Sequence, residues 1–375
     1  MKPSSLQRPS IRNFPRSVVL SSLIALFSIA TREASKLYFF LVLGEIPLRS
    51  LSYTTLWVGL SVVFSTITGY LLDRFSKKKI LILTMLMSLI SIMCLDLGCL
   101  ILGIVINGVF CNVTVVGRAT YSYIHAQRPS VRVFAETFAV QALPWIVICL
   151  YSFIYIHYVK SIAIAMSIIA LIGSACFLYV RPQPHSNVPL FFYEKLQMIR
   201  GDRFRIFVAF FFSEIAYQLI EYYLDSHFVE TVVSNSFALL GMGIFIGAIF
   251  HWAVHFTPGI KEIFVAYIAS LGVFVSGYIS YGYFASSALE NFSYYLPFAI
   301  VGGFGLPLIF AGFTRHVHPK EKSFLVGGLE SLMAMADCLG PVLASFNIFT
   351  FPTMIVLLGI STLCTYKTAF YRKAV

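Results

Sequence analysis

The sequence predicts an all-α membrane protein of twelve transmembrane helices, arranged as two six-helix, pseudo-symmetric halves. Three observations carry that reading. Hydrophobic residues make up 58% of the 375 residues and charged ones only 11%, against about 25% charged in soluble domains. Twelve apolar stretches follow one another almost without a break, and a helix needs roughly 20 such residues to cross a bilayer. The basic residues fall on alternate loops, as they do in a chain that threads back and forth through a membrane.

The elements follow in order. The polar, basic arm Met1–Arg16 leads into the first span, Ser17–Leu43, which is too long for the apolar region of a cleavable signal. Leu51–Leu72 ends at a charged hinge. Ile80–Leu95 is short unless it extends back through Lys77–Lys79, and only Asp96-Leu97-Gly98 divides it from Cys99–Tyr121. Arg128-Pro129-Ser130-Val131-Arg132 leads into Val131–Ile154, and Ser161–Val180 closes the first half. The second half comprises Phe204–Asp225, Phe237–Val254, Ile263–Phe284, Tyr294–Phe313, Phe324–Phe346 and Phe351–Thr365. His318-Pro319-Lys320-Glu321-Lys322 precedes the eleventh span as Arg128–Arg132 precedes the fifth. Halves that repeat one another in this way are a recurring transporter plan. The domain limits read from the sequence are 1–180, a cytoplasmic linker 181–203, and 204–375. Within the linker, Phe191–Arg200 mixes apolar and charged residues, which suits either an amphipathic helix on the inner surface or a plain loop.

Charge fixes the expected orientation. With the N-terminus inside, 22 of the 27 Lys and Arg residues lie on the inner side and only Arg49 and Lys160 outside; Arg118, Arg32 and Lys36 fall within spans. This asymmetry places both termini in the cytoplasm, and a bacterial cytoplasmic (inner) membrane is the expected location. It also accounts for the formal charge of +11 without a nucleic-acid partner. Seven cysteines lie in or beside apolar stretches with no Cys-x-x-Cys pair, so neither a metal site nor a disulfide framework is expected. No cofactor is implied.

The hinge between the second and third spans reads Gly69-x-x-x-Asp73-Arg74-x-x-Lys77-Lys78-Lys79. Glycine lets two helices approach closely, and an aspartate at a helix end is placed to accept bonds from a facing helix N-terminus. Gly69, Asp73, Arg74, Lys77 and Lys78 match the Gly-x-x-x-Asp-Arg-x-Gly-Arg/Lys-Arg/Lys signature loop of the major facilitator superfamily, with Ser76 in place of its glycine. After the eighth span a second copy is degenerate, retaining Gly247 but with His251 for the aspartate. The chain resembles a compact, divergent member of that superfamily. The resemblance implies secondary transport by alternating access, with the hinge latching the two halves on the inner side. Asp73 is then expected beside Lys322–Gly328 of the eleventh helix, or beside Arg118.

Ionisable residues inside a membrane face the interior and have partners. Helix one carries Arg32, Glu33 and Lys36. Helix seven carries Glu214, Gln218 and Glu221 on one face, and helix eleven carries Glu330 and Asp337. Helix five adds Glu136 and Gln141, and helix four Asn107 and Asn112. The expected site is a polar cavity between the halves, built from Arg32, Glu33, Lys36, Glu214, Gln218, Glu221 and Asp337. Arg32 or Lys36 would meet an anionic or hydrogen-bonding small-molecule substrate, and a carboxylate would carry a coupling proton. Glu136 and Glu330 are read as structural ion pairs, and Gly243-x-x-x-Gly247 as a packing motif. Membrane lipid is the other implied partner. Two other classes compete with a transporter: a transporter-like sensor or assembly protein, and a lipid-modifying enzyme. The enzyme would need a His or Asp cluster at one membrane face, and no such cluster is seen; no Walker-type nucleotide loop is seen either.

Overall fold

A computed structural model describes residues 16–44, 50–150, 156–180, 192–227, 233–254, 260–284, 288–318, 321–345 and 351–370. Among them the structure is all helical. The first group of helices is α1 (Arg16–Gly44), α2 (Ser50–Arg74), α3 (Lys77–Asp96), α4 (Leu100–Phe110), α5 (Val113–Ile124), α6 (Ser130–Leu150) and α7 (Ile156–Cys176). A short α8 (Phe192–Leu196) stands in the linker. The second group is α9 (Asp202–His227), α10 (Val233–Ala253), α11 (Ile260–Phe284), α12 (Ala288–Phe313), α13 (Lys322–Ser345) and α14 (Phe351–Phe370). Seven helices, counting α4 and α5 as one span, are long and apolar enough to cross a membrane among the described residues.

One local feature departs from the sequence reading, and another decides between its alternatives. The fourth span is two helices, broken at Cys111-Asn112. The Asn112 amide takes the place of helical backbone bonds: its Oδ1 accepts from Ser65 Oγ at 2.9 Å and its Nδ2 donates to the Val109 carbonyl at 3.3 Å, a competition typical of Asn. The third helix starts at Lys77, three residues before the apolar run. The Lys77 side chain is buried, with its ammonium bonded to the Leu72 carbonyl at 2.9 Å and 5.0 Å from the centre of the Tyr123 ring. Lys77 thereby satisfies a C-terminal carbonyl of α2.

Within the first group α1 packs on α5, α6 and α7, and α3 on α4 and α7. Within the second, α9 packs on α13 and α14, and α12 on α10 and α11. The groups meet along two seams, α2 with α13 and α6 with α10 and α12. One end of the bundle, the basic end, carries Arg74, Lys77–Lys79, Arg128 and Arg203. Near it a shared apolar cluster joins the groups: Phe134 and Phe138 of α6 and Phe210 of α9 surround Phe310 of α12, with ring centres 5.5, 5.2 and 6.1 Å away. Outside the spans, burial and the neighbouring Arg128 guanidinium push His125 below its ordinary pKa. Its Nε2 lies 2.8 Å from Ser22 Oγ. Gly243 and Gly247 of α10 face α12 so closely that a Cβ at either would collide with its backbone.

The seam at the basic end between α2 and α13 is closer than any ordinary side chain allows. A Cβ on Gly327 would lie 2.5 Å from the Ser65 carbonyl oxygen and 3.1 Å from the Gly69 Cα, and one on Gly69 would strike the Ser323 carbonyl. One turn deeper, the Thr66 and Ser331 hydroxyls bond across the seam at 2.6 Å.

Candidate functional site

A cavity of about 130 Å³ lies between the two groups, with walls from α1, α6, α9, α10, α12 and α13. Its polar lining is Glu33, Lys36, Gln141, Glu214, Gln218 and Asp337, and Phe138, Trp145 and Tyr217 supply aromatic surface. Five of the residues expected from sequence thus stand at one cavity: Glu33, Lys36, Glu214, Gln218 and Asp337. The side chain of Glu221 lies outside the described residues. Arg32 does not line the cavity. It points into the first group, where its Nη1 donates to Asn107 Oδ1 at 2.6 Å and its guanidinium lies 5.6 Å from the Trp57 ring centre. Trp57 Nε1 donates to the same oxygen at 2.9 Å. The cause is helical geometry: one residue along α1 turns a side chain by about 100°, so Arg32 cannot share the direction of Glu33.

Glu33 is held from both sides by α6. Its Oε1 accepts from Gln141 Nε2 at 3.1 Å and its Oε2 from Trp145 Nε1 at 3.0 Å. The Gln141 carbonyl oxygen in turn accepts from Arg118 Nη2, and Arg118 Nη1 is paired with Glu330 of α13. Arg118 is completely buried, its guanidinium 3.8 Å from the centre of the Phe138 ring and 5.1 Å from that of Phe310. A continuous chain of polar contacts therefore runs from the cavity carboxylate through α6 and α5 to the second group. Across the cavity, Lys36 of α1 faces Asp337 of α13 at 3.7 Å and lies 5.9 Å from the Trp145 ring centre. Glu136 does not reach the cavity; it binds Arg128 and Tyr121 near the basic end. Among the described residues, no three His, Cys, Asp or Glu side chains stand close enough to share a metal ion.

Sequence reasoning singles out Gln141 only as a polar residue of its helix and Arg118 as a span residue and a possible partner of Asp73, and it passes over Trp145. Nothing in the sequence marks Trp145 beyond its place four residues after Gln141, one helical turn along the same face.

Of the hinge residues, Gly69 and Asp73 stand at the α2–α13 seam. Asp73 Oδ2 accepts the Phe324 N–H of the first turn of α13 at 3.3 Å and the Lys195 ammonium of α8 at 2.8 Å. The Arg74 guanidinium lies 4.5 Å from the Tyr70 ring centre, and Lys78 is half-buried. Arg118 is not a partner of Asp73; it is engaged by Glu330 and Gln141. Along α13, the first residues meet α2 at the seam, Glu330 follows, and Met333 and Asp337 line the cavity. Seam, ion pair and cavity are stacked in that order from the basic end.

The stack defines a class: a multi-pass helical membrane protein with a charged cavity between two helix groups and a seal at one end. Its fold is that of the major facilitator superfamily transporters. The human organic anion transporter MFSD10 (TETRAN) superposes with a TM-score of 0.75 at 15% identity, over 94% of this chain and 99% of that one. The E. coli fucose:proton symporter FucP gives 0.71 at 14% identity, over 96% and 98%. A bacterial homologue of the iron transporter ferroportin, in an outward-facing state, gives 0.67 at 11% identity, over 94% and 97%. No protein-family model and no curated protein matches the sequence. The shared fold spans nearly the whole chain.

Proposed function

We propose that the protein is a secondary active transporter that moves a small solute by alternating access, driven by protons. In this reading residues 1–180 and 204–375 are the two rocking halves and 181–203 the linker. The basic end faces the cytoplasm of a bacterial cell, and the seam of α2 and α13 is the closed inner gate of an outward-facing state. The observation that carries the reading is the position of Glu33, Glu214 and Asp337 on three helices from both groups, facing one cavity that stops short of the sealed end. A charged group is costly to keep inside a membrane unless it has a partner or a function. Among the described residues of the lining, these three carboxylates share the cavity with a single basic side chain, Lys36. In this reading one of these carboxylates takes up and releases the coupling H⁺. That FucP is a proton symporter supports the same coupling.

The test is uptake by proteoliposomes under an imposed pH gradient, with accumulated solutes from a metabolite extract identified by mass spectrometry. Glu33→Gln and Glu214→Gln are the decisive variants. At the coupling position the change abolishes accumulation and leaves solute exchange intact. Accumulation at the parental level in both variants, and in Asp337→Asn, would exclude proton coupling through this cavity. Solute binding without any uptake would instead identify a sensor. Orientation has its own test: reporter fusions at Leu190 and at Val375 are expected to report a cytoplasmic location, and an external signal at either reverses the assigned topology.

A further inference from the structure

We propose that α8 is a strap of the inner gate, and that the cavity cannot open to the inner side until α8 has released α2 or α13. The inference rests on the alternating-access reading. The helix has only five residues and belongs to neither group, yet it touches both sides of the seam. Phe192 lies edge-on to Tyr70 of α2, ring centres 5.5 Å apart, and edge-on to Phe324 of α13 at 5.7 Å. Lys195 is driven down beside Asp73, and in this ion pair the two side chains are only 5% and 3% exposed.

A segment that merely joined two halves would keep its lysine in water, because a buried ammonium is tolerated only where a carboxylate compensates for lost hydration. Asp73 offers that compensation where it also takes the Phe324 amide, so the seat for Lys195 is assembled from α2 and α13 together. When the halves part, Asp73 loses the Phe324 N–H and Phe192 loses one of its two rings. The strap thus makes contacts in the closed gate that the open gate does not offer, and a difference of this kind shifts a two-state equilibrium. The aspartate of the hinge is answered by the linker as well as by the opposing helix. The linker therefore helps decide when the gate opens, in addition to tethering the halves.

The experiment uses full-length protein in inside-out vesicles, with the seven native cysteines replaced and Ser331→Cys as reporter. Ser331 is shielded in the seam, so a membrane-impermeant maleimide reads opening of the inner gate directly, without any substrate. Lys195→Gln and Phe192→Ala are each expected to speed labelling about tenfold, within the range usual for coupled sites, and Lys195→Arg to return it toward the parental rate. Lys195→Gln combined with Asp73→Asn should label no faster than the faster single variant, since both remove one pair. Phe192→Ala, at a partly exposed position, keeps the proposal testable should Lys195→Gln not yield a monodisperse, helical protein. Acceleration by Gly327→Val but by neither strap variant would overturn the strap and leave alternating access standing. Unchanged labelling in every variant, Gly327→Val included, would overturn the alternating-access reading and the strap with it.

Discussion

Gly327→Val is expected to abolish transport and hold the protein open at the basic end. The Cβ alone would sit 2.5 Å from the Ser65 carbonyl oxygen and 3.1 Å from the Gly69 Cα. Both are backbone atoms, which cannot rotate away as a side chain can. The helices must separate, and the Thr66–Ser331 bond and the bond from the Phe324 amide to Asp73 are lost with the separation. Overpacking costs typically about 1–3 kcal/mol. Charged to one state only, that cost shifts the balance of states by roughly 5- to 150-fold. Gly327→Ala should produce a weaker effect in the same direction. Gly328→Ala is the control, because a Cβ there meets no atom within 4 Å; its transport, and its maleimide labelling at the Ser331→Cys reporter, should match the parent. Equal behaviour of the 327 and 328 variants would remove the seam from the mechanism.

Arg118→Met is expected to give the largest loss of stability of any single change in the polar chain, about 3–5 kcal/mol, the range seen when one partner of a buried ion pair is deleted. The substitution leaves Glu330, whose side chain is 12% exposed, without its counter-charge and withdraws a donor from Gln141. Arg118→Lys should recover only part of the loss, since a single ammonium cannot reproduce a planar fork that reaches two partners at once. Adding Glu330→Leu to Arg118→Met should restore most of it, because the uncompensated charge is then gone. Thermal or denaturant unfolding in detergent reads all three. A double variant as unstable as the single one would show that packing of the guanidinium between Phe138 and Phe310, and not charge, sets the cost.

The parts of this architecture legible in the sequence are those written in local chemistry. Each apolar span coincides with a helix, or with the helix pair α4–α5, because burial in lipid demands a long apolar run whatever its neighbours are. The break at Asn112 is not legible, since a short polar residue inside an apolar run reads equally as a packed side chain or as a backbone competitor. Polar residues in helix one announce an interior site but not its direction: Arg32 and Glu33 are adjacent in sequence, and only the positions of Asn107 and Trp145 on other helices decide which of them faces the cavity. Lys77 and Lys195 read as solvent-facing because loop lysines usually are. Their burial depends on Leu72, Asp73 and the start of α13 meeting from distant parts of the chain.

The shared guanidinium of Arg118 has one more implication. It stays with Gln141 through α6, whereas its partner Glu330 travels with α13. Parting the groups therefore strands a carboxylate, and the described lips of the seam offer hydroxyls and glycines in place of the lost cation. Water must do the solvating. Under the proposed alternating access, the inward transition is a wetting event, in which flooding of the gap stabilises the separated charges. Its rate should fall in crowded, osmotically stressed solution, where water activity is low, even though no residue of the gate has been altered.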